Sequence, residues 1–355
     1  MIVTMHKSPP GPPLSKGGIN ETNPGFVVMF RFGAFFVLHK VFTLAAMNKE
    51  ESMNKVPYTG RLVHFFSSLI FFSVVIFIAA MLQACSTDGD VNDEDGLIQN
   101  NQPPVVTGEW YKPALTDTWQ WQLQGVIDTN YDVNVYDIDL FDTPKSTIDL
   151  LHAQNRKVIC YFSAGSYEDF RDDAEQFKST DLGNSLDGWE NENWLDIRSS
   201  NVRTIMKARL DLAVTKGCDG VEPDNMDGYD ASNKAGFASD PLTAEDQLDY
   251  NRFIANEAHT RGLSVGLKND LPQIPDLVEY YDFAVNEQCH QYDECDELKP
   301  FIDAGKPVFN AEYPEEKVLS NSERDMVCQA ARAANIRTLI LSLELDNSSR
   351  YSCDD

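Results

Sequence analysis

The chain has 355 residues, with 29 Lys and Arg against 56 Asp and Glu, for a formal net charge of −27. Residues 1–85 hold seven basic and three acidic residues; the remaining 22 basic and 53 acidic residues leave 86–355 at −31. So acidic a surface excludes nucleic acid and anionic membrane as partners and suits a cationic ligand such as an amino-sugar polymer.

The N-terminal third reads as an address. Residues 1–52 carry an apolar stretch, 25–46, interrupted by Arg31, His39 and Lys40. They read as an over-extended gene start, because Met53-Asn54-Lys55 opens a better export signal. Leu62 to Leu82 is apolar and long enough to span a bilayer. Leu82-Gln83-Ala84-Cys85 follows and resembles a bacterial lipobox, which makes 53–85 a lipoprotein signal and Cys85 the lipidated residue. An uncleaved membrane anchor is the alternative; both put the following domain outside the cytoplasm. Residues 86–108 form an acidic flexible linker without apolar periodicity. Six cysteines remain, with Cys289/Cys295 and Cys328/Cys353 as candidate local bridges and Cys160 read as a buried thiol in an apolar strand.

From 109 to 355 apolar runs alternate with amphipathic ones. Eight runs read as strands: 119–123, 133–138, 158–162, 220–222, 264–267, 283–286, 308–309 and 338–341. Helical spacing covers 147–155, 200–216, 244–260 and 322–334, with Gly217 as a C-cap signal. Strand–helix alternation implies a parallel sheet, and eight repeats in about 240 residues imply a closed (β/α)8 TIM barrel. No glycine-rich phosphate loop follows the first strand, which disfavours an open doubly wound sheet.

The C-terminal strand ends, where such barrels place chemistry, are dense in acids. Strand two runs into Asp137, Asp139 and Asp142; strand three ends Tyr161-Phe162-Ser163; strand four ends Glu222-Pro223-Asp224, with Asp227 close behind. Strand five ends Lys268-Asn269-Asp270, strand six Asn286-Glu287-Gln288, and strand seven Asn310-Ala311-Glu312-Tyr313. A ring of like charges costs stability, so it marks a site. Alternation along a strand puts Glu222 and Asp224 on one face. Glu287 lies across the mouth from them. Two opposed carboxylates suit glycosidic cleavage, one as proton donor and one as nucleophile or base. Trp119, Tyr161, Tyr167, Trp189, Trp194, Tyr229 and Tyr313 offer flat faces to sugar rings. No His/Cys spacing suits zinc, the acids lack a calcium-loop spacing, and no Ser sits in a nucleophile elbow, so neither metal nor cofactor is expected.

From Trp119 to Cys353 the chain resembles glycoside hydrolase family 114, the endo-α-1,4-polygalactosaminidase-like barrels. The resemblance is carried by Trp119–Gly125, Val158–Glu168, Trp194–Arg198, Gly217–Tyr229, Gly266–Asn269, Asn286–Cys289 and Asn310–Tyr313. It implies a (β/α)8 barrel that cuts α-1,4-linked galactosamine polymers. It also implies a catalytic aspartate ending strand four and a glutamate ending strand six, which fall on Asp224 and Glu287, with Asp227 as the alternative aspartate. Glu222, Asp139, Lys268, Asn269 and Glu312 are expected to hold sugar hydroxyls or amines, or to tune the pair. Trp119, Tyr161, Asp227, Tyr229 and Tyr313 complete the expected substrate contacts. The expectation is an exported, lipid-anchored, monomeric glycosidase. A non-catalytic carbohydrate-binding lipoprotein and a barrel hydrolase for another exopolysaccharide are the alternatives.

Overall fold

The computed structural model describes residues 102–354 apart from 238 and 315–318. Segments 1–52 and 53–85, with Cys85 and the apolar run 62–82, lie outside the described residues. Among the described residues no helix is long and apolar enough to cross a membrane.

In chain order the domain opens with β1 (Trp119–Gln122), β2 (Val135–Asp139), α1 (Lys145–Ala153) and β3 (Lys157–Ser163). Three short strands follow, β4 (Ser166–Glu168), β5 (Leu182–Leu186) and β6 (Trp189–Leu195). Then come α2 (Ser200–Lys216), β7 (Gly220–Asp224), α3 (Ala244–Thr260) and β8 (Ser264–Lys268). The last part runs α4 (Ile274–Leu277), β9 (Phe283–Glu287), α5 (Cys289–Tyr292), α6 (Lys299–Asp303), β10 (Val308–Glu312), α7 (Asn321–Ala334), β11 (Arg337–Leu341) and β12 (Arg350–Ser352).

The main sheet has the order β1-β2-β3-β7-β8-β9-β10-β11-β12. Its first eight strands are the eight expected from the apolar runs, and all pair in parallel. β12 adds antiparallel to β11. The two edges are tied to each other. The Trp119 indole donates to Arg337 O at 3.0 Å, Leu123 N donates to Leu345 O at 3.0 Å, and the Arg350 guanidinium donates to Trp119 O at 3.4 Å. The architecture is the (β/α)8 barrel that the strand count implied.

Side chains of successive strand residues face opposite ways, and the core divides accordingly. Val135, Ile159, Phe283, Val285, Phe309 and Leu339 form the inner cluster, with Trp119 and Trp121. Tyr136, Ile138, Val158, Phe162 and Val221 face outward and pack with Ile205, Met206 and Leu210 of α2 and Ile254 and Ala258 of α3. The helix boundaries follow local chemistry. Ser199 caps α2, and Gly217 ends it in the left-handed region at φ 90°. Thr243 and Asp246 form a capping box on α3, as Ser320 and Glu323 do on α7.

Two expectations need correction. Cys160 is not a free thiol: it pairs with Cys218, which precedes β7, beside Cys289–Cys295 and Cys328–Cys353. Parallel pairing of β3 with β7 brings two cysteines 58 residues apart together, which no sequence spacing reveals. Residues 102–108, read as linker, are already fastened to the barrel. Tyr280 donates to Gln102 O at 2.9 Å, and Asn256 Oδ1 accepts from Val105 N at 2.8 Å.

The small antiparallel sheet β4-β6-β5 was absent from the strand count. Its signal was present: Asp187-Gly188 joins β5 to β6, and Gly188 sits at φ 90° as such tight hairpin turns require. Proline also proved compatible with a barrel strand. β7 runs through Pro223 to Asp224, but its pairing to β8 stops at Gly220–Ser264 and Val221–Val265. Pro223 has no N–H to extend a ladder, and beyond it the ends of β7 and β8 are joined by side chains.

Candidate active site

That side-chain junction is built around Lys268, the last residue of β8. Its ammonium is 1% exposed. Nζ lies 2.9 Å from Asp224 Oδ1, 3.2 Å from Glu287 Oε2 and 3.3 Å from Glu222 Oε1. The Trp121 ring is 5.0 Å away and offers its π face. Burial disfavours the ammonium, but Asp224 and Glu287 outweigh it and drive Lys268 well above its ordinary range.

The two acids across the mouth are each held by a tyrosine and a backbone device. Asp224 Oδ2 accepts from Tyr161 OH at 2.9 Å, and Oδ1 accepts from Asn225 N at 2.7 Å. Asn225 is left-handed at φ 61°, and its Nδ2 donates to Ser163 Oγ at 2.9 Å. This turn passes so close to Gly165 that a Cβ there would lie 1.7 Å from Asn225 O; glycine is required. Glu287 Oε1 accepts from Tyr313 OH at 2.7 Å, and Oε2 from Asn269 Nδ2 at 3.4 Å. Asn269 Oδ1 also accepts from Glu287 N at 3.1 Å, so one amide holds both ends of that residue. Burial and Glu287 together raise the Tyr313 hydroxyl well above its ordinary range, which keeps it a donor.

Glu222 lies fully buried beneath Asp224, at 0% exposure. Burial and the neighbouring Asp137 push its carboxyl well above the usual range. The Asp137 carboxyl itself, driven chiefly by burial, rises to about 7. Two further buried acids flank the mouth. Burial and the charge of Asp227 raise Asp270 to about 9; it accepts from Tyr229 OH at 3.2 Å and Asn251 Nδ2 at 2.8 Å. Burial and Glu168 raise Glu192 to about 8, and Ser166 Oγ donates to it at 2.7 Å.

Asp224, Glu287, Tyr161, Tyr313, Glu222, Lys268 and Asn269 are thus brought together. Tyr229 and Asp227 lie alongside through Asp270. Three expected substrate contacts are not in the cluster. Trp119 begins β1, so it sits at the opposite end of the barrel from the strand ends, 1% exposed and stacked on Phe309 at 5.0 Å. Asp139 is consumed by Arg171, which donates to both its oxygens at 3.1 and 2.8 Å. Glu312 accepts from His290 N at 2.9 Å and Asn310 Nδ2 at 3.0 Å, anchoring the segment after β9. Glu222 and Lys268, expected to hold sugar or to tune the pair, face the two acids. Trp121, Asp137 and Asn225 went unassigned in the sequence, although Trp121 shares the inward face of Trp119 two residues on.

Of the remaining aromatics, Trp194 packs over Gly228, and Tyr167 meets Phe177 edge-on at 5.6 Å. Trp189 lines an open cleft of about 650 Å³ with Asn184, Asp187, Asn233 and Lys234; no residue of the Lys268 cluster lines it. Cys289, His290 and Cys295 cluster within 4.8 Å, but the two sulfurs are already joined in a disulfide and cannot serve as thiolate ligands.

A family model described as glycoside-hydrolase family GH114 matches residues 100–355. Among solved structures, Ega3 of Aspergillus fumigatus in complex with galactosamine is 46% identical, covering 70% of this chain and 99% of that chain at a TM-score of 0.65. The glycoside hydrolase domain of PelA from Pseudomonas aeruginosa is 14% identical, covering 64% of this chain and 95% of that chain at a TM-score of 0.49. No curated protein matches.

Proposed function

With the chain belonging to glycoside-hydrolase family GH114 and so an enzyme of the glycosidase class, we propose that Asp224 and Glu287 cleave α-1,4-linked, galactosamine-rich polysaccharide. The carrying observation is the pair itself: two buried carboxylates from β7 and β9, each oriented by a tyrosine and bridged by one ammonium. Asp224 is read as the nucleophile, because the Lys268 ammonium holds it more closely, at 2.9 Å against 3.2 Å to Glu287, and a backbone N–H also donates to its carboxylate. Glu287 is read as the acid/base. It protonates the leaving glycosidic oxygen while Asp224 attacks the anomeric carbon, and then takes a proton from the water that releases the glycosyl-enzyme.

The spacing supports retention. The Asp224 and Glu287 oxygens that face Lys268 Nζ lie 2.9 and 3.2 Å from it. Those two oxygens are therefore no farther apart than the sum of those distances, which accommodates the roughly 5–5.5 Å of a retaining pair. The choice of amino sugar is supported by galactosamine in the 46%-identical Ega3 structure. It is also supported by the −31 of residues 86–355, which attracts a partly deacetylated, cationic polymer. The test is to incubate the protein with partly deacetylated galactosaminogalactan and count new reducing ends. Binding without new ends would leave a carbohydrate-binding protein, and cleavage confined to another exopolysaccharide would move the substrate.

The same reading makes the protein exported and lipid-anchored through Cys85, with 53–85 as the signal. Three disulfides support an oxidising compartment. An uncleaved anchor at 62–82 is the second reading, favoured by one observation: the 46%-identical structure is fungal, and lipobox processing is bacterial. Mass spectrometry of the mature N-terminus separates them. A diacylglyceryl-cysteine at 85 supports the first, and peptides upstream of Cys85 in the membrane form overturn it.

A further inference from the structure

Asp137 has no part in the scheme above, yet it faces the Lys268 cluster from β2 at 1% exposure. Register sets it level with Ile159 of β3, which is level with Gly220 of β7. A Cβ at Gly220 would meet Ile159 Cδ1 and Ser264 Cβ, each at 2.8 Å. The barrel is closely filled at that level, and the Asp137 carboxyl lies beside that of Glu222. Asp137 Oδ1 and both Glu222 oxygens are buried with no hydrogen-bond partner, a costly state. Two ionised carboxylates offer acceptors alone, so these two can satisfy each other only when one of them carries a proton.

The charge count agrees. Asp137, Glu222, Asp224 and Glu287 all act on one buried ammonium. Fully ionised, they would leave three uncompensated negative charges in the barrel interior.

We propose that Asp137 and Glu222 hold one proton between them and, as a pair with a single negative charge, position the Lys268 ammonium that aligns Asp224 with Glu287. Both are positioning residues. Burial raises both carboxyls. Glu222→Gln then mimics the resting state, since its amide donates to the Asp137 carboxylate as the protonated acid does. Glu222→Leu leaves Asp137 buried without a donor.

The kinetic arm of the test rests on the hydrolase reading; the spectroscopic arm does not. Infrared difference spectra of the resting full-length protein against Glu222→Gln at neutral pH should lose one protonated-carboxyl band. An unchanged band overturns the proposal even in a protein that cleaves nothing. In the kinetic arm, Glu222→Leu should lower kcat by about a hundredfold, the scale of a misaligned catalytic pair, with KM changed less than about threefold. Glu222→Gln should recover at least about tenfold of that loss. If Gln is as impaired as Leu, the ionised carboxylate is what matters and the shared proton is wrong. Should Leu fail to fold, the band lost in Gln still decides.

Discussion

Two clusters of buried acids stand side by side at the barrel mouth, and they differ in their cations. Behind β2 and β3, Arg171 reaches Asp139 at 2.8 Å and Glu168 at 2.8 Å. Arg209 joins Asp173 at 2.8 Å and approaches Glu168 at 3.5 Å. Two guanidinium forks meet four carboxylates, the exposed Asp142 lying 3.6 Å from Arg171, and Arg209 also donates to Ser163 O at 2.6 Å. At the Lys268 cluster a single ammonium meets Glu222, Asp224 and Glu287, with Asp137 beneath. The first cluster has two cations, each bidentate on one carboxylate, which suits a fixed brace. The second is short of positive charge, which suits groups that must trade protons. Asp139 and Asp224 look alike in the sequence, each an acid at the end of a barrel strand. What distinguishes them is which cation folds against them.

The comparison breaks most sharply if the two clusters respond alike to mutation. Asp224→Asn and Glu287→Gln should each lower kcat by at least about a thousandfold while leaving the melting temperature within a few degrees, since each removes a reacting group. Reducing-end assays and calorimetry on the same samples check both halves. Full activity in either variant removes that residue from the pair.

Arg171→Met should do the reverse. Removing one partner of a buried ion pair costs on the order of 3–5 kcal/mol, about 10 °C for a domain of this size, because Asp139 and Glu168 are left buried and unmatched. The remaining folded enzyme should keep its kcat within about threefold. A thousandfold loss of kcat in folded Arg171→Met would mean the brace is part of the site.

A smaller effect tests the buried acids that flank the two clusters by pH. Asp270 and Glu192 are carboxyls raised to about 9 and about 8, chiefly by burial. A carboxyl whose folded value lies above its unfolded value binds more protons when folded. Its stabilisation is fully present below the unfolded value, near 4, and is lost as pH rises toward the folded one. The melting temperature should therefore fall between pH 5 and pH 9. Asp270→Asn should flatten that slope, by an amount on the order of a few kcal/mol over the range. A melting temperature that rises over the interval contradicts the buried, protonated acids.

The smallest effect separates Glu312 from the cluster. Glu312→Gln keeps an acceptor for His290 N, so kcat should change by less than about threefold. A larger loss would return Glu312 to the substrate contacts expected from its place at the end of β10.

Much of this was legible along the chain, for a physical reason. Barrel strands are short apolar runs with a period of two, and their helices announce themselves through caps such as Ser199, Gly217 and Thr243. The alternation that put Glu222 and Asp224 on one face needs no tertiary knowledge. Nor does the placement of Glu287 at the end of a later strand. These are local properties of spacing, and local properties survive in one dimension.

The partners of each buried charge are not local, and tertiary structure alone decided them. Lys268 lies 44 residues from Asp224, and Arg171 lies 32 from Asp139. Cys160 and Cys218 meet because β3 and β7 are neighbours in the sheet. Trp119 and Trp121 share one face, and depth within the barrel assigns one to the far end and the other to Lys268. A carboxylate's role follows from desolvation and from the counter-charges within a few ångströms. Both are set by how strands far apart in sequence close around a common axis.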